Sequence, residues 1–216
     1  YVKWDMNRSM TEVYSAALPP DRQGEVMHRY ILGVYDLYDR LTRRFPHILF
    51  ESCASGGGRF DPGMLYYAPQ CWTSDDSDGV ERQKIQYGTS FCYPLSSIGA
   101  HVSAVPNHQV NRLTPLSTRA NVAAFGTFGY ELDLNRLTPE ELAQVREQIA
   151  FMKEYRQVIQ FGDFYRLLSP FEGNFTAWMV VSPDRRTALV GWYKVLNEVN
   201  GPYRRVRLRG LDPSLR

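Results

Sequence analysis

Two short segments place carboxylates where they could act as a pair: Asp5 in Lys3-Trp4-Asp5-Met6-Asn7-Arg8, and Asp75 in Trp72-Thr73-Ser74-Asp75-Asp76-Ser77-Asp78. Two carboxyl groups facing each other across a sugar-sized pocket are what glycoside hydrolysis needs. One attacks or stabilises the anomeric carbon and the other protonates the departing oxygen. A tryptophan beside each would offer a flat apolar face to a sugar ring. In a strand Lys3 and Asp5 leave the same face, so the ammonium would hold the carboxylate ionised and could bond a sugar hydroxyl. Spacing alone leaves a second reading open, because strand-end Asp residues also cap the next helix or bind loop amides. Asp76 and Asp78 complicate the choice, since clustered acids share their titration.

Other chemistry is less well supported. Cys53, Cys71 and Cys92 are an odd number at spacings of 18 and 21, which fits neither a disulfide framework nor paired zinc ligands. They read as reduced thiols, from which a cytoplasmic location is expected, and Cys53 by itself could be buried filler at a strand end. Gly56-Gly57-Gly58 suits a tight turn that lets backbone approach a ligand; no Lys-Ser/Thr follows, and Asp61 would repel a phosphate. His101 and His108 lack a carboxylate or thiol that would complete a metal site, so no metal is expected. The usual zinc-protease, serine-hydrolase and phosphate-loop motifs are absent.

Charge and hydropathy exclude further classes. Lys+Arg number 25 against 23 Asp+Glu, a net charge of +2, and Arg204, Arg205, Arg207 and Arg209 would divide between two strand faces, so nucleic acid is not an expected partner. No run approaches about 18 apolar residues, so no membrane span is expected. The sequons Asn7-Arg8-Ser9 and Asn174-Phe175-Thr176 do not argue for secretion, because a glycan on Asn7 would block the pocket beside Asp5.

The elements that must position these residues follow from periodicity. With 216 residues, 44% of them hydrophobic, the chain can bury a sizeable core. Residues 1–5 read as a strand already in progress, with no initiating Met, which suggests a fragment cut at both ends. After Pro19-Pro20-Asp21 a helix runs to about residue 44, with Ile31, Val34, Tyr35, Tyr38 and Leu41 on one face. Residues 47–53 look like a strand buried on both faces. Residues 65–68 lead into a short strand at 71–75, and a helical stretch at about 78–91 precedes a strand at 98–103. A helix at about 115–124 and a strand near 126–132 come next. Thr138-Pro139-Glu140-Glu141 then starts a capped helix reaching about 158. Strand and helix alternate, which predicts a parallel α/β architecture with its chemistry at the carboxyl ends of the strands. Beyond about 161 the period falls to 2, and residues 175–181, 187–194 and 203–209, with turns at 182–184 and 200–202, predict an antiparallel module. The expected domains are therefore 1–160 and 161–216.

Three segments together resemble the α-galactosidases of glycoside hydrolase family 36: residues 1–8, Glu51-Ser52-Cys53-Ala54-Ser55-Gly56-Gly57-Gly58-Arg59-Phe60-Asp61, and 71–78. Ala100-His101-Val102-Ser103, Pro106-Asn107-His108-Gln109 and residues 127–133 extend the likeness over nearly the whole chain. The resemblance implies the C-terminal part of a (β/α)8 TIM barrel, from its fourth strand through its eighth, followed by an incomplete antiparallel β-domain. It further implies a retaining hydrolase of terminal, non-reducing α-D-galactosyl groups in melibiose- and raffinose-type oligosaccharides, with no cofactor. Asp5 would be the nucleophile and Asp75 the general acid/base; Lys3, Cys53 and Gly56 would bind the sugar, and Trp4 and Asn7 would line the same pocket. Retention by two inversions requires the carboxyl groups about 5–5.5 Å apart. Family analogy implies a homo-oligomer, often a tetramer. Two alternatives remain: galactosyl transfer to sucrose or another sugar, and a non-catalytic α-galactoside-binding or inert truncated product. Half a barrel leaves strand edges unpaired, so the isolated chain is expected to fold poorly and turn over little substrate.

Overall fold

Parallel strands open the chain in the computed structural model, which describes residues 1–7, 10–201 and 203–214. Arg8 and Ser9 of the first motif and sequon, and Pro202 of the expected turn, lie outside the described residues. The chain divides into two units, Tyr1–Thr73 and Ser74–Arg216.

In the first unit β1 (Val2–Asp5), β2 (Phe50–Cys53) and β3 (Gln70–Cys71) form a parallel sheet in the order β1-β2-β3. The register sets Lys3 beside Glu51, Asp5 beside Cys53, and Glu51 beside Gln70. α1 (Val26–Arg44) connects β1 to β2 after a 3-10 turn at Pro20–Glu25. Its predicted apolar face buries Val34 and Tyr38, which pack with Phe50, Met64 and Ala68. Residues 65–67 are helical rather than the approach to a strand. Pro62 opens α2 (Pro62–Tyr67), and the Asp61 carboxylate accepts the Met64 N–H, so a capped helical turn forms before the chain extends. Only Gln70 and Cys71 then remain as strand, shorter than the 71–75 expected.

The second unit continues the alternation with α3 (Glu81–Thr89), β4 (Gly99–Ser103), α4 (Leu116–Ala123), β5 (Thr127–Glu131) and α5 (Pro139–Phe161). β4 and β5 are parallel, with Gly99 beside Thr127 and Ser103 beside Glu131. Ala100 and Val102 of β4 pack on Leu116, Ala120, Ala123 and Val145 of the helices. Buried polar side chains of α3 satisfy carbonyls at the start of β4 and at the end of α4. Arg82 donates to the Gly99 carbonyl at 2.6 Å, and Gln86 donates to the carbonyls of Val122 and Phe125, each at 3.0 Å. Burial lowers the Arg82 guanidinium to about 10, against the opposing pull of Asp76 and Glu131.

The change of period corresponds to an antiparallel sheet of β6 (Asp163–Leu168), β7 (Phe175–Val181) and β8 (Ala188–Lys194). Trp178 and Val180 of β7 bury themselves among Leu95, Ile98, Val122 and Phe125. Two expectations change here. β6, not residues 203–209, supplies the third strand. The 203–209 segment makes no ladder among the described residues; it leads to Arg209, whose N–H donates to Met179 Sδ at 3.3 Å, so it crosses the sheet instead of extending its edge. Among the described residues no helix is long and apolar enough to cross a membrane.

The start of α5 carries a full capping box: Glu141 N–H donates to Thr138 Oγ1 at 3.2 Å, and Thr138 N–H donates to Glu141 Oε2 at 2.9 Å. Thr138→Ala is therefore expected to lower stability by about 1 kcal/mol, measured as a fall in the urea midpoint. An unchanged midpoint would show that the cap contributes nothing.

Candidate active site

The carboxyl end of β1 carries one group of the expected residues. Strand alternation turns Trp4 away from Lys3 and Asp5. The Trp4 ring lies 4.7 Å from the Tyr38 ring and 6.4 Å from that of Phe50, half-buried against the core beneath α1. This corrects the expectation that Trp4 lines the pocket: a large apolar ring between two charged residues goes to the buried face. Lys3 instead meets a different tryptophan, its Nζ sitting 5.1 Å from the centre of the Trp72 ring and 4.0 Å from Glu51 Oε1. Glu51 is 2% exposed and accepts a hydrogen bond from Gln70 Nε2 at 3.0 Å, so the ammonium is held between an aromatic face and a buried carboxylate.

Asp5 is exposed at the strand end, and the Met6 N–H bonds to the Cys53 carbonyl at 3.0 Å to keep that end paired. Cys53 is buried and stands beside Asp5 in the register of β1 and β2. Burial pushes this thiol up to about 11; the Gly56 amide and Lys3 oppose the rise while Asp5 adds to it. At neutral pH Cys53 is therefore a neutral S–H donor beside Asp5. Gly56 reaches Cys53 by turning through a φ of 77°, where a side chain would be strained. A Cβ on Gly58 would stand 2.7 Å from the Ala54 carbonyl oxygen, so the loop closes tightly on itself. Asn7 fastens this loop from the other side, its Oδ1 accepting the Ser55 N–H at 2.6 Å. Lys3, Asp5, Cys53 and Gly56 are thus brought together, and Asn7 acts on their loop.

Asp75 belongs to the second unit and is exposed in it. The three neighbouring acids, equivalent by spacing, are distinct in structure. Asp78 is 1% exposed; its Oδ2 accepts the N–H groups of Val80 and Glu81 at the start of α3 and pairs with Arg112. Asp76 accepts the Asp78 N–H at 3.1 Å. Asp78 thus takes the helix-capping reading. The loop is also held from β4, because Ser103 Oγ donates to the Ser77 carbonyl at 3.1 Å.

Sequence reasoning missed Glu51, Gln70 and the Ser77–Ser103–Asn107 cluster. A Glu inside the otherwise apolar run before Cys53 was the available signal for the first: a buried carboxylate needs a partner. His101 Nδ1 lies 3.5 Å from Glu131 Oε2. Among the described residues no group of three or more His, Cys, Asp or Glu side chains is arranged to hold a metal ion.

Comparison with known proteins gives this arrangement a context. Residues 1–162 match the family model described as Melibiase, and residues 175–216 match that of the glycosyl hydrolase family 36 C-terminal domain. The chain is 64% identical over 214 residues to alpha-galactosidase AgaA of Geobacillus stearothermophilus, covering 99% of this chain and 29% of that protein. It is 49% identical to alpha-galactosidase Mel36A of Lactobacillus acidophilus, over 100% of this chain and 29% of the relative. The crystal structure of AgaA superposes with a TM-score of 0.94 at 64% identity, over 98% of this chain and 30% of the other. A variant of AgaA solved in complex with raffinose gives 0.94 at 63% identity, again over 98% and 30%. The chain thus spans about 30% of the length of the proteins it matches. Its five parallel strands are the C-terminal part of a (β/α)8 barrel, and the antiparallel sheet begins the β-domain that follows. With the family model covering most of its length, the chain belongs to the Melibiase family of glycoside hydrolases.

Proposed function

We propose that the protein containing this chain is a retaining α-galactosidase that hydrolyses terminal α-D-galactosyl groups of raffinose- and melibiose-type oligosaccharides. The observation that carries the reading is the strand end at which Lys3 and Asp5 share a face and Cys53 stands beside Asp5 in register, in a chain whose relatives are named alpha-galactosidases. Asp5 attacks the anomeric carbon and forms a galactosyl ester as the bond to the leaving oxygen breaks. Asp75 gives that oxygen its proton, then takes one from water, which cleaves the ester and releases galactose with its α configuration kept. Lys3 and the Cys53 thiol supply donors beside the nucleophile. Gly56 lets backbone approach where a side chain would intrude.

In the complete protein, Asp5→Ala and Asp75→Ala should each lower kcat on p-nitrophenyl α-galactoside, Asp75→Ala by about 10²–10⁴-fold on substrates with poor leaving groups. Added azide should yield β-galactosyl azide from the Asp5→Ala protein and α-galactosyl azide from the Asp75→Ala protein. A rate that survives either substitution would sink that residue's assignment. A folded wild-type protein that moves galactose to sugars but not to water would replace hydrolysis by transfer.

The thiol gives an independent check. Iodoacetamide at pH 8 should label exposed Cys92 and spare Cys53, whose reaction should rise only as the pH nears about 11. Peptide mass spectrometry reads both sites. Equal labelling at pH 8 would mean that Cys53 is a thiolate and not the neutral donor described.

A further inference from the structure

We infer that Asn107 is a positioning residue for the loop that presents Asp75, an inference that rests on the reading of Asp75 as the general acid/base. Asn107 lies outside any helix or strand, yet it is only 1% exposed. Both ends of its amide are in use. Nδ2 donates to Ser77 Oγ at 3.3 Å and to Ser103 Oγ at 3.4 Å, while Oδ1 accepts the N–H groups of Gln109 at 2.9 Å and Val110 at 3.2 Å. The donor side therefore reaches the acid-bearing loop and β4, and the acceptor side folds the turn that carries Asn107 itself. The amide offers a donor and an acceptor in one planar unit, which neither an ionised Asp nor a Leu of similar volume can do.

Ser77, two residues after Asp75, is the point of attachment. Its carbonyl takes the Ser103 hydroxyl and its Oγ takes the Asn107 amide, and Ser77 and Ser103 are each 2% exposed. Ser103 is fixed in turn, because the Arg119 guanidinium binds its carbonyl. Arg112, at the far end of the 107–112 turn, pairs with Asp78 and with Glu81 at 3.2 Å. The turn thus grips the chain after Asp75 at Ser77, at Asp78 and at the start of α3. Losing the amide takes the donor from two buried hydroxyls, Ser77 Oγ and Ser103 Oγ, so the loop would shift rather than leave them unmet. A general acid has to meet the leaving oxygen within hydrogen-bond reach, and a displacement of about 1 Å costs on the order of 10²-fold.

The experiment compares kcat/KM on 2,4-dinitrophenyl α-galactoside, whose leaving group needs no proton, with that on raffinose, whose leaving group does. Asn107→Ala in the complete protein should lose about 10-fold or more on raffinose and less than about 3-fold on the aryl substrate. Ser77→Ala, a small change that keeps the backbone carbonyl, should show the same selectivity more weakly, and it decides the matter where Asn107→Ala does not fold. Asp75→Ala is the reference. If Asp75→Ala is selective but Asn107→Ala and Ser77→Ala lose both activities equally, or neither, the inference is overturned and the reading of Asp75 stands. If Asp75→Ala itself loses both equally, the acid/base assignment falls and takes the inference with it.

Discussion

A strand deals its residues alternately to two faces, and β1 has only four of them. Trp4 is the largest, and its packing against Tyr38 and Phe50 leaves the strand no freedom to rotate. Lys3 and Asp5 must then leave by the opposite face. In-register parallel pairing carries the same choice to β2, where Glu51 and Cys53 stand beside them. A one-residue slip would bury two charges and expose the indole, so the apolar contact on one side specifies the polar cluster on the other. The tryptophan that looked like part of the pocket contributes by facing away from it.

Within the cluster, charge is arranged in layers. Lys3 is held by the buried Glu51 and the Trp72 face, and Glu51 by Gln70. Cys53 adds a donor that stays neutral because burial raises its pKa. Asp5 therefore has a polar neighbour that contributes no second negative charge. The acidic run at 75–78 solves a related problem by division of labour: Asp78 is consumed by α3 and Arg112, Asp76 by its own turn, and Asp75 alone of the three is exposed.

Much of this was legible in the sequence, and the misses have physical causes. The α1 face, the strands around Ala100 and Phe128, and the Thr138 cap were plain because period and capping chemistry agree there. Residues 65–68 were misread because apolar and aromatic content favours a strand, whereas Asp61 and Pro62 set a helix going first. The 203–209 segment alternates like a strand, but alternation says nothing about whether a partner edge is available, and Arg209 is engaged by Met179 on the sheet. The alternation that puts Lys3 and Asp5 on one face puts Trp4, between them, on the other. Asn107 was visible only as part of a motif, since no local pattern reveals that its amide reaches Ser77, 30 residues earlier.

The contacts described around Asp5 come from residues up to Thr73, and those described around the Asp75 loop come from residues after it. Each support is therefore encoded in its own continuous stretch of chain. A crossover between related genes near residue 73 would therefore pass on each of these sets of contacts whole.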